Sequence, residues 1–180
     1  MSKLNYLRTA IALPVAFGVL GTYGHRVNAT NTIQVSCDTS TSIPTIAATL
    51  SNSDKSSGDV DRAFQTTHIL SFLPEYFSTE EASFNCQKTA ASLQSYYSKG
   101  VMNYLASDTI DGKPVVCAVE RRGVSCDGYS SEILFSLDRA VNPNQLLYDM
   151  LGEDFKSSQS PSYRTLSRTY TDLRPTWWPF

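Results

Sequence analysis

The stretch TEEASFNCQKTAASLQSYYSKG, residues 79–100, determines how the rest of the chain is interpreted. Four of its residues recur at steps of four, three and four, which places them on one face of a helix. They are Cys86, Ala90, Leu93 and Tyr97. Thr79 or Ser83 is suited to cap the start of this helix, and Gly100 is suited to end it after Lys99. The sequence therefore predicts an amphipathic helix over Thr79–Lys99, with Cys86 facing inward.

Before and after this helix in the chain, segments in which apolar residues alternate or run continuously predict strands. In chain order they are 33–37, 45–50, 64–73, 102–108, 114–120, 124–126 and 132–138. Residues 111–112 and 121–123 predict the turns of a meander, and the polar run 51–61 predicts a loop. A short second helix is expected from its cap Asn142 to Gly152, with Gln145 at the capping-box position. The prediction is a single α+β domain: an antiparallel sheet with one main packed helix and a short second helix.

The first 29 residues read as a cleavable signal peptide, Met1–Ala29. Lys3 and Arg8 precede the apolar run Ala10–Leu20, and Val27-Asn28-Ala29 offers a cleavage site. The alternative is an uncleaved N-terminal anchor. The predicted organisation is therefore a leader at 1–29, a domain at 30–155 and a tail at 156–180.

Four cysteines follow the leader: Cys37, Cys86, Cys117 and Cys126. An exported chain folds in an oxidising compartment, which favours two disulfides. A turn at 121–123 would bring Cys117 opposite Cys126, which leaves Cys37 to pair with Cys86. The alternative is a zinc site of four thiolates. Zinc-binding cysteines usually come in close pairs, whereas 48, 30 and 8 residues separate these.

Composition excludes one large class of function. Without the three basic residues of the leader, 12 basic and 17 acidic residues remain, a net charge of −5. Nucleic-acid binding requires a basic footprint, so it is not expected. No stretch after the leader is apolar enough, over sufficient length, for a membrane span.

Catalytic residues, cofactor-binding residues and metal ligands are not expected from the motifs. His68 is the one histidine after the leader, and we interpret it as a partly buried strand residue. The acidic pair 80–81 is explained by its place at the start of the predicted helix. The pair 153–154 follows a helix stop and is interpreted as solvated. The run 54–61 departs from the spacing of an EF-hand. The enzymatic alternative is an exported hydrolase that uses acidic residues in a cleft.

The tail differs from the body in charge and composition. It has a net charge of +3, against −8 for residues 30–155. Arginine together with tyrosine and tryptophan is typical of contact surfaces and of membrane interfaces. The tail either wraps the acidic body, is disordered, or docks on a partner or membrane surface. The candidate contact residues are Arg164, Arg168, Tyr170, Arg174, Trp177 and Trp178.

Five short motifs stand out along the chain: Cys86-Gln87, DGKPVVC at 111–117, GVSC at 123–126, LFSL at 134–137 and Asn142-Pro143. Together they resemble those of the circadian oscillating protein family of cyanobacteria. The resemblance covers about residues 33–151 and includes the order of the four cysteines, whereas the leader and tail lie outside it. It implies rhythmic expression and association with membranes or the cell envelope. The family has no assigned reaction, so no catalytic residue is carried over.

The expected function combines these observations. We expect an exported, non-catalytic protein of the periplasm, thylakoid lumen or cell envelope. It would need no cofactor, and it would act by binding a protein or a membrane surface through its tail.

Overall fold

A computed structural model describes residues 32–51, 64–101, 103–156 and 169–174, so the leader and the run 54–61 lie outside the described residues. The elements are β1 (Thr32–Asp38), β2 (Thr45–Ser51), β3 (Phe64–Ser71), α1 (Thr79–Lys99), β4 (Tyr104–Ile110), β5 (Lys113–Val119), β6 (Ser131–Ser136), α2 (Pro143–Met150), α3 (Glu153–Lys156) and β7 (Tyr170–Asp172). The fold is α+β with antiparallel pairing throughout, as expected. The strands form two sheets instead of the expected one: sheet A, ordered β1-β2-β3, and sheet B, ordered β6-β5-β4-β7.

Helix α1 has the predicted bounds but a different cap. Ser78, not Thr79 or Ser83, caps the helix, because its backbone is extended and its hydroxyl accepts the Glu81 N–H. The Glu81 carboxylate in turn accepts the Ser78 N–H at 3.0 Å, which completes a capping box. At the other end, Gly100 adopts a left-handed φ of 63° and its N–H donates to the carbonyl of Tyr96. The helix is thus bounded by local interactions at both ends.

Sheet A buries one face. Val35, Ile46 and Ala48 point into the main core, together with the buried face of α1 that includes Cys86 and Leu93. The alternation of β1 follows from this one-sided burial.

Sheet B is covered on both faces at β5. Val116 and Ala118 belong to the main core, whereas Val115, Cys117 and Val119 belong to a second cluster on the opposite face. This explains why β5 is a continuous apolar run and does not alternate with polar residues.

The predicted strand at 124–126 is wrong. Strand β5 pairs with β6, so the chain returns to the ladder at Ser131, opposite Val119. Residues 120–130 instead form turns, and Asp108 accepts the backbone N–H of Cys126 at 3.4 Å. Cys126 is 3% exposed in the second cluster, so it reaches Cys117 across the outer face of sheet B. The predicted pairing is therefore correct, but the predicted hairpin geometry is not.

Helix α2 has the predicted cap and a different end. The Asn142 side chain accepts the backbone N–H groups of Asn144 and Gln145. The Gln145 side chain donates to Asp149. The helix ends at Met150 with Leu151 as its C-cap, and α3, which was not predicted from the sequence, begins at Glu153.

Gly152 joins α3 to the edge of β3. Its N–H donates to the carbonyl of Ile69 at 3.0 Å, and Leu151 forms a bridge with Leu70. A Cβ at Gly152 would lie 2.0 Å from the backbone carbonyl oxygen of His68. The glycine is required by this close backbone approach.

We expect Gly152→Ala to lower the free energy of unfolding by about 1–3 kcal/mol, because α3 must move away from β3. Urea unfolding followed by circular dichroism measures the change. Gly128→Ala is the control, since its Cβ would meet its nearest atom at 3.1 Å, so a smaller loss is expected. Equal stability of the Gly152 variant and the wild-type protein would contradict the close approach.

Candidate functional site

All four cysteines are disulfide-bonded. Cys37 pairs with Cys86 and Cys117 pairs with Cys126, with Cα atoms 5.6 Å apart in both pairs. The zinc alternative is therefore wrong, because no thiolate is left to bind metal. Two disulfides indicate an oxidising environment of the kind that exported proteins meet. Among the described residues, no helix combines the length and the apolar character needed to cross a bilayer.

The groups weighed for catalysis belong to different elements: His68 to β3, the pair 80–81 to α1 and the pair 153–154 to α3. His68 is exposed on the outer face of sheet A, opposite Ala47, and not partly buried as expected. The inward position beside it is taken by Thr67, which is 3% exposed. Glu81 serves the α1 cap, and hydrogen bonds from Ser78 hold the pKa of its carboxyl below the usual range. No observation on these residues favours the hydrolase alternative.

One surface brings the tail together with the body of the protein. We call it the Arg–Tyr surface; it consists of Tyr104, Arg121, Arg122, Tyr170, Asp172 and Arg174. Tyr104 begins β4, the two adjacent arginines follow β5, and the remaining three residues belong to β7 or lie just after it. The antiparallel register sets Tyr104 opposite Asp172, which gathers the three segments at one end of sheet B.

Two arginines approach the same tyrosine ring. The Arg122 guanidinium carbon lies 5.3 Å from the centroid of the Tyr104 ring, and that of Arg174 lies 5.9 Å away. Both distances are within the range of cation–π attraction. Arg174 also donates to both carboxylate oxygens of Asp172, from Nε at 2.9 Å and from Nη2 at 2.7 Å.

The charged side chains of this surface differ in whether they are already paired within the protein. Burial raises the pKa of the Asp172 carboxyl, but the hydrogen bonds from Arg174 outweigh it, so the net pKa is lowered. Asp172 is therefore ionised at neutral pH and compensates the charge of Arg174. Arg121 and Arg122 are exposed and form no ion pair with any described residue. They are the accessible cations of the surface.

The structure describes two of the six predicted contact residues. Tyr170 is half-buried and its hydroxyl donates to the carbonyl of Val124 at 3.0 Å, so it mainly holds the β5–β6 connection. Arg174 is exposed and fixed by Asp172. Arg164, Arg168, Trp177 and Trp178 lie outside the described residues.

The sequence did not predict Tyr104, Arg121 or Arg122 as contact residues. The two arginines were interpreted as a turn, and Tyr104 as part of a strand. An adjacent pair of arginines in a loop is a weak signal by itself. Only the pairing of β7 with β4 brings these residues next to the tail.

Leu173, the residue before Arg174, lies in the core. Leu173 is 1% exposed, and its N–H donates to the carbonyl of Asn103 at 2.8 Å. The Tyr97 hydroxyl of α1 donates to the carbonyl of Leu173. Residues 170–174 therefore pack on the domain as part of its sheet and its core.

We expect Arg174→Gln to destabilise the protein by up to about 1 kcal/mol at neutral pH. The pKa of Asp172 is lowered by folding, so this stabilisation is present above the ordinary pKa of 3.8 and disappears as the pH falls through the folded value. Urea midpoints of wild type and variant should therefore converge as the pH is lowered through the folded pKa of Asp172. In an Asp172→Asn background, Arg174→Gln should have the same small effect at neutral and at acid pH; a persistent pH dependence there would contradict the assignment.

Comparison with known proteins identifies the family. A family model described as circadian oscillating protein COP23 matches residues 34–177. The match extends beyond the residues 33–151 of the resemblance and includes β7 and part of the tail. Comparisons with curated proteins and with solved structures found no match. The chain belongs to the circadian oscillating protein COP23 family.

Proposed function

We propose that this protein is an exported, non-catalytic protein of the cell envelope or lumen that docks on a membrane surface through the Arg–Tyr surface and residues 175–180. One observation carries the proposal. Arg122 and Arg174 lie over the Tyr104 ring at one end of sheet B, and the sequence that follows Arg174 is Pro-Thr-Trp-Trp-Pro-Phe. The described surface thus combines cationic and aromatic groups, and the sequence directly after it is rich in aromatic residues.

The chemistry of the two parts suits a lipid surface. Tryptophan favours the interface between headgroups and acyl chains, and residues 175–180 carry no charged side chain. Arg121 and Arg122 are able to bind lipid phosphates through two hydrogen bonds each. Each basic residue near an anionic membrane contributes roughly 1 kcal/mol. A weak apolar anchor combined with a basic patch is a recognised route to reversible membrane binding.

Two features support export. Two disulfides are typical of proteins that fold outside the reducing cytosol. The sequence Met1–Ala29 has the three parts of a signal peptide.

Co-sedimentation with vesicles tests the docking. The oxidised protein is mixed with vesicles of phosphatidylcholine alone or of phosphatidylcholine with phosphatidylglycerol. We expect binding to the anionic vesicles that weakens as salt is added, and we expect deletion of Pro175–Phe180 to abolish it. The deletion begins after Arg174 because a longer one would remove Leu173 from the core.

Matched charge variants complete the test. Arg121→Gln/Arg122→Gln should weaken vesicle binding at least about fivefold. Lys88→Gln/Lys113→Gln makes the same change in net charge on α1 and at the β4–β5 turn, and it should have little effect. Wild-type protein that stays in the supernatant with anionic vesicles, or equal losses in the two double variants, would refute membrane docking.

A further inference from the structure

The two sheets have four outer edges, at β1, β3, β6 and β7, and within the described residues the two edges of sheet A are closed. At β1, the Gln94 side chain of α1 acts in place of a neighbouring strand. Its Oε1 accepts the Val35 N–H at 2.6 Å, and its Nε2 donates to the Ile33 carbonyl at 3.3 Å. Closing an edge in this way prevents the pairing of foreign strands.

The edge at β3 is closed by backbone. Leu151 forms a bridge with Leu70, and the Gly152 N–H donates to the carbonyl of Ile69. Both edges of sheet A are therefore occupied by other parts of the same chain. In sheet B, β7 pairs with β4 from Tyr104 to Ala106 and so forms one outer edge itself.

In sheet B, no described strand pairs with the outer side of β6 or of β7. Strand β6 is the longer of these two edges, with six residues against three. The Val119 carbonyl accepts the N–H of Asn103, so Val119 directs its backbone groups towards β4. Ser131 lies opposite Val119, and Ile133 lies opposite Cys117, two positions along the same ladder. By the alternation of an antiparallel ladder, Ser131 and Ile133 direct their N–H and C=O groups towards the open edge.

The side chains along this edge are accessible. Ile133 is 42% exposed, and Tyr129, just before the strand, is fully exposed. Glu132 is exposed on the other face of the strand, where it accepts a hydrogen bond from the Ser92 hydroxyl at 3.2 Å. The edge thus presents backbone groups, an apolar side chain and a carboxylate within three residues.

We infer that the open edge of β6 binds an extended segment of a partner protein, which adds a strand to sheet B. The segment carries a basic residue opposite Glu132 and an apolar residue opposite Ile133. Main-chain hydrogen bonds to Ser131 and Ile133 supply affinity, and the two side chains supply selectivity. This surface is separate from the Arg–Tyr surface, so the inference goes beyond membrane docking.

A second copy of the chain suits this edge less well. A two-fold antiparallel pairing that joins Ser131 to Ile133 of the other copy places Glu132 directly opposite its own equivalent. Like charges directly opposite each other destabilise a sheet. Charge complementarity therefore favours a foreign segment with a cation at that position.

A designed peptide tests the inference. The probe is acetyl-Ser-Thr-Val-Lys-Val-Thr-Ser-amide, which places lysine between two valines. Titration into the ¹⁵N-labelled, oxidised protein should give saturable shifts and slowed exchange at the amides of Ser131 and Ile133. A peptide with both valines N-methylated should bind roughly tenfold or more weakly, because it lacks the main-chain donors. Absence of saturable shifts at these amides, or equal affinity of the methylated peptide, would overturn the inference.

Variants of the protein locate the contact. Glu132→Lys should weaken binding of the lysine peptide roughly fivefold. The same variant should bind a peptide that carries glutamate instead of lysine more tightly than the wild-type protein does. Ile133→Asp should also weaken binding, whereas the control Phe84→Asp should not, although Phe84 is 67% exposed. Deletion of Pro175–Phe180 should leave peptide binding unchanged, and Ile133→Asp should leave vesicle binding unchanged. Failure of one proposal is thereby distinguished from failure of the other.

Discussion

Leu173→Ala should lower the free energy of unfolding by about 2–5 kcal/mol, the usual range for removing a fully buried leucine side chain. Leu173 is 1% exposed and belongs to the main core, although it lies close to the C-terminus. The substitution removes the packing of this side chain, whereas the backbone hydrogen bonds of residue 173 with Asn103 and Tyr97 are kept. Urea unfolding measures the loss as a lower midpoint, provided that the dependence of the unfolding free energy on urea concentration is unchanged.

Deletion of Pro175–Phe180 is the control for Leu173→Ala. This deletion begins after Arg174 and removes no described residue, so we expect the urea midpoint to stay close to that of the wild-type protein. A Leu173 variant as stable as the wild type would mean that β7 and Leu173 are not part of the folded core. In that case the Arg–Tyr surface would lose its structural basis as well.

Replacing Cys37 and Cys86 together by alanine should cost about 4 kcal/mol. The disulfide joins residues separated by 49 positions, so its removal frees a long loop in the unfolded state. It also ties the outer strand β1 to α1, whose Gln94 side chain lies on the same edge. The second pair, Cys117 and Cys126, closes a separation of only 9 and should cost about 3 kcal/mol when replaced.

The two double variants are compared in oxidised form by urea unfolding. The expected order is wild type, then the Cys117/Cys126 variant, then the Cys37/Cys86 variant. The reverse order would contradict the loop-entropy explanation, because the short loop would then stabilise the fold more than the long one. Reduction of the wild-type protein should destabilise it more than either double variant.

The candidate contact surfaces could be predicted only in part from the sequence. Arg174 and Tyr170 were singled out for their chemistry, which is a property of the residues themselves. Arg121 and Arg122 were assigned to a turn, since nothing near them in the chain marks them as contact residues. The open edge of β6 was also not predicted, because an edge exists only once the order of strands is known.

The sequence by itself determined the bounds of α1 and the cap of α2. It also predicted the partners of the four cysteines correctly, although the hairpin on which that prediction depended does not form. The bounds of α1 and the cap of α2 depend on interactions within a few residues, such as the Ser78–Glu81 capping box and the left-handed Gly100. The tertiary structure decided that there are two sheets, that the chain around Cys126 is a loop across a sheet face, and that residues 170–174 belong to the domain. These features depend on pairings between residues far apart in the chain. A local pattern specifies that a segment is extended, but the partner of a strand is selected by which faces are buried once all the elements pack together.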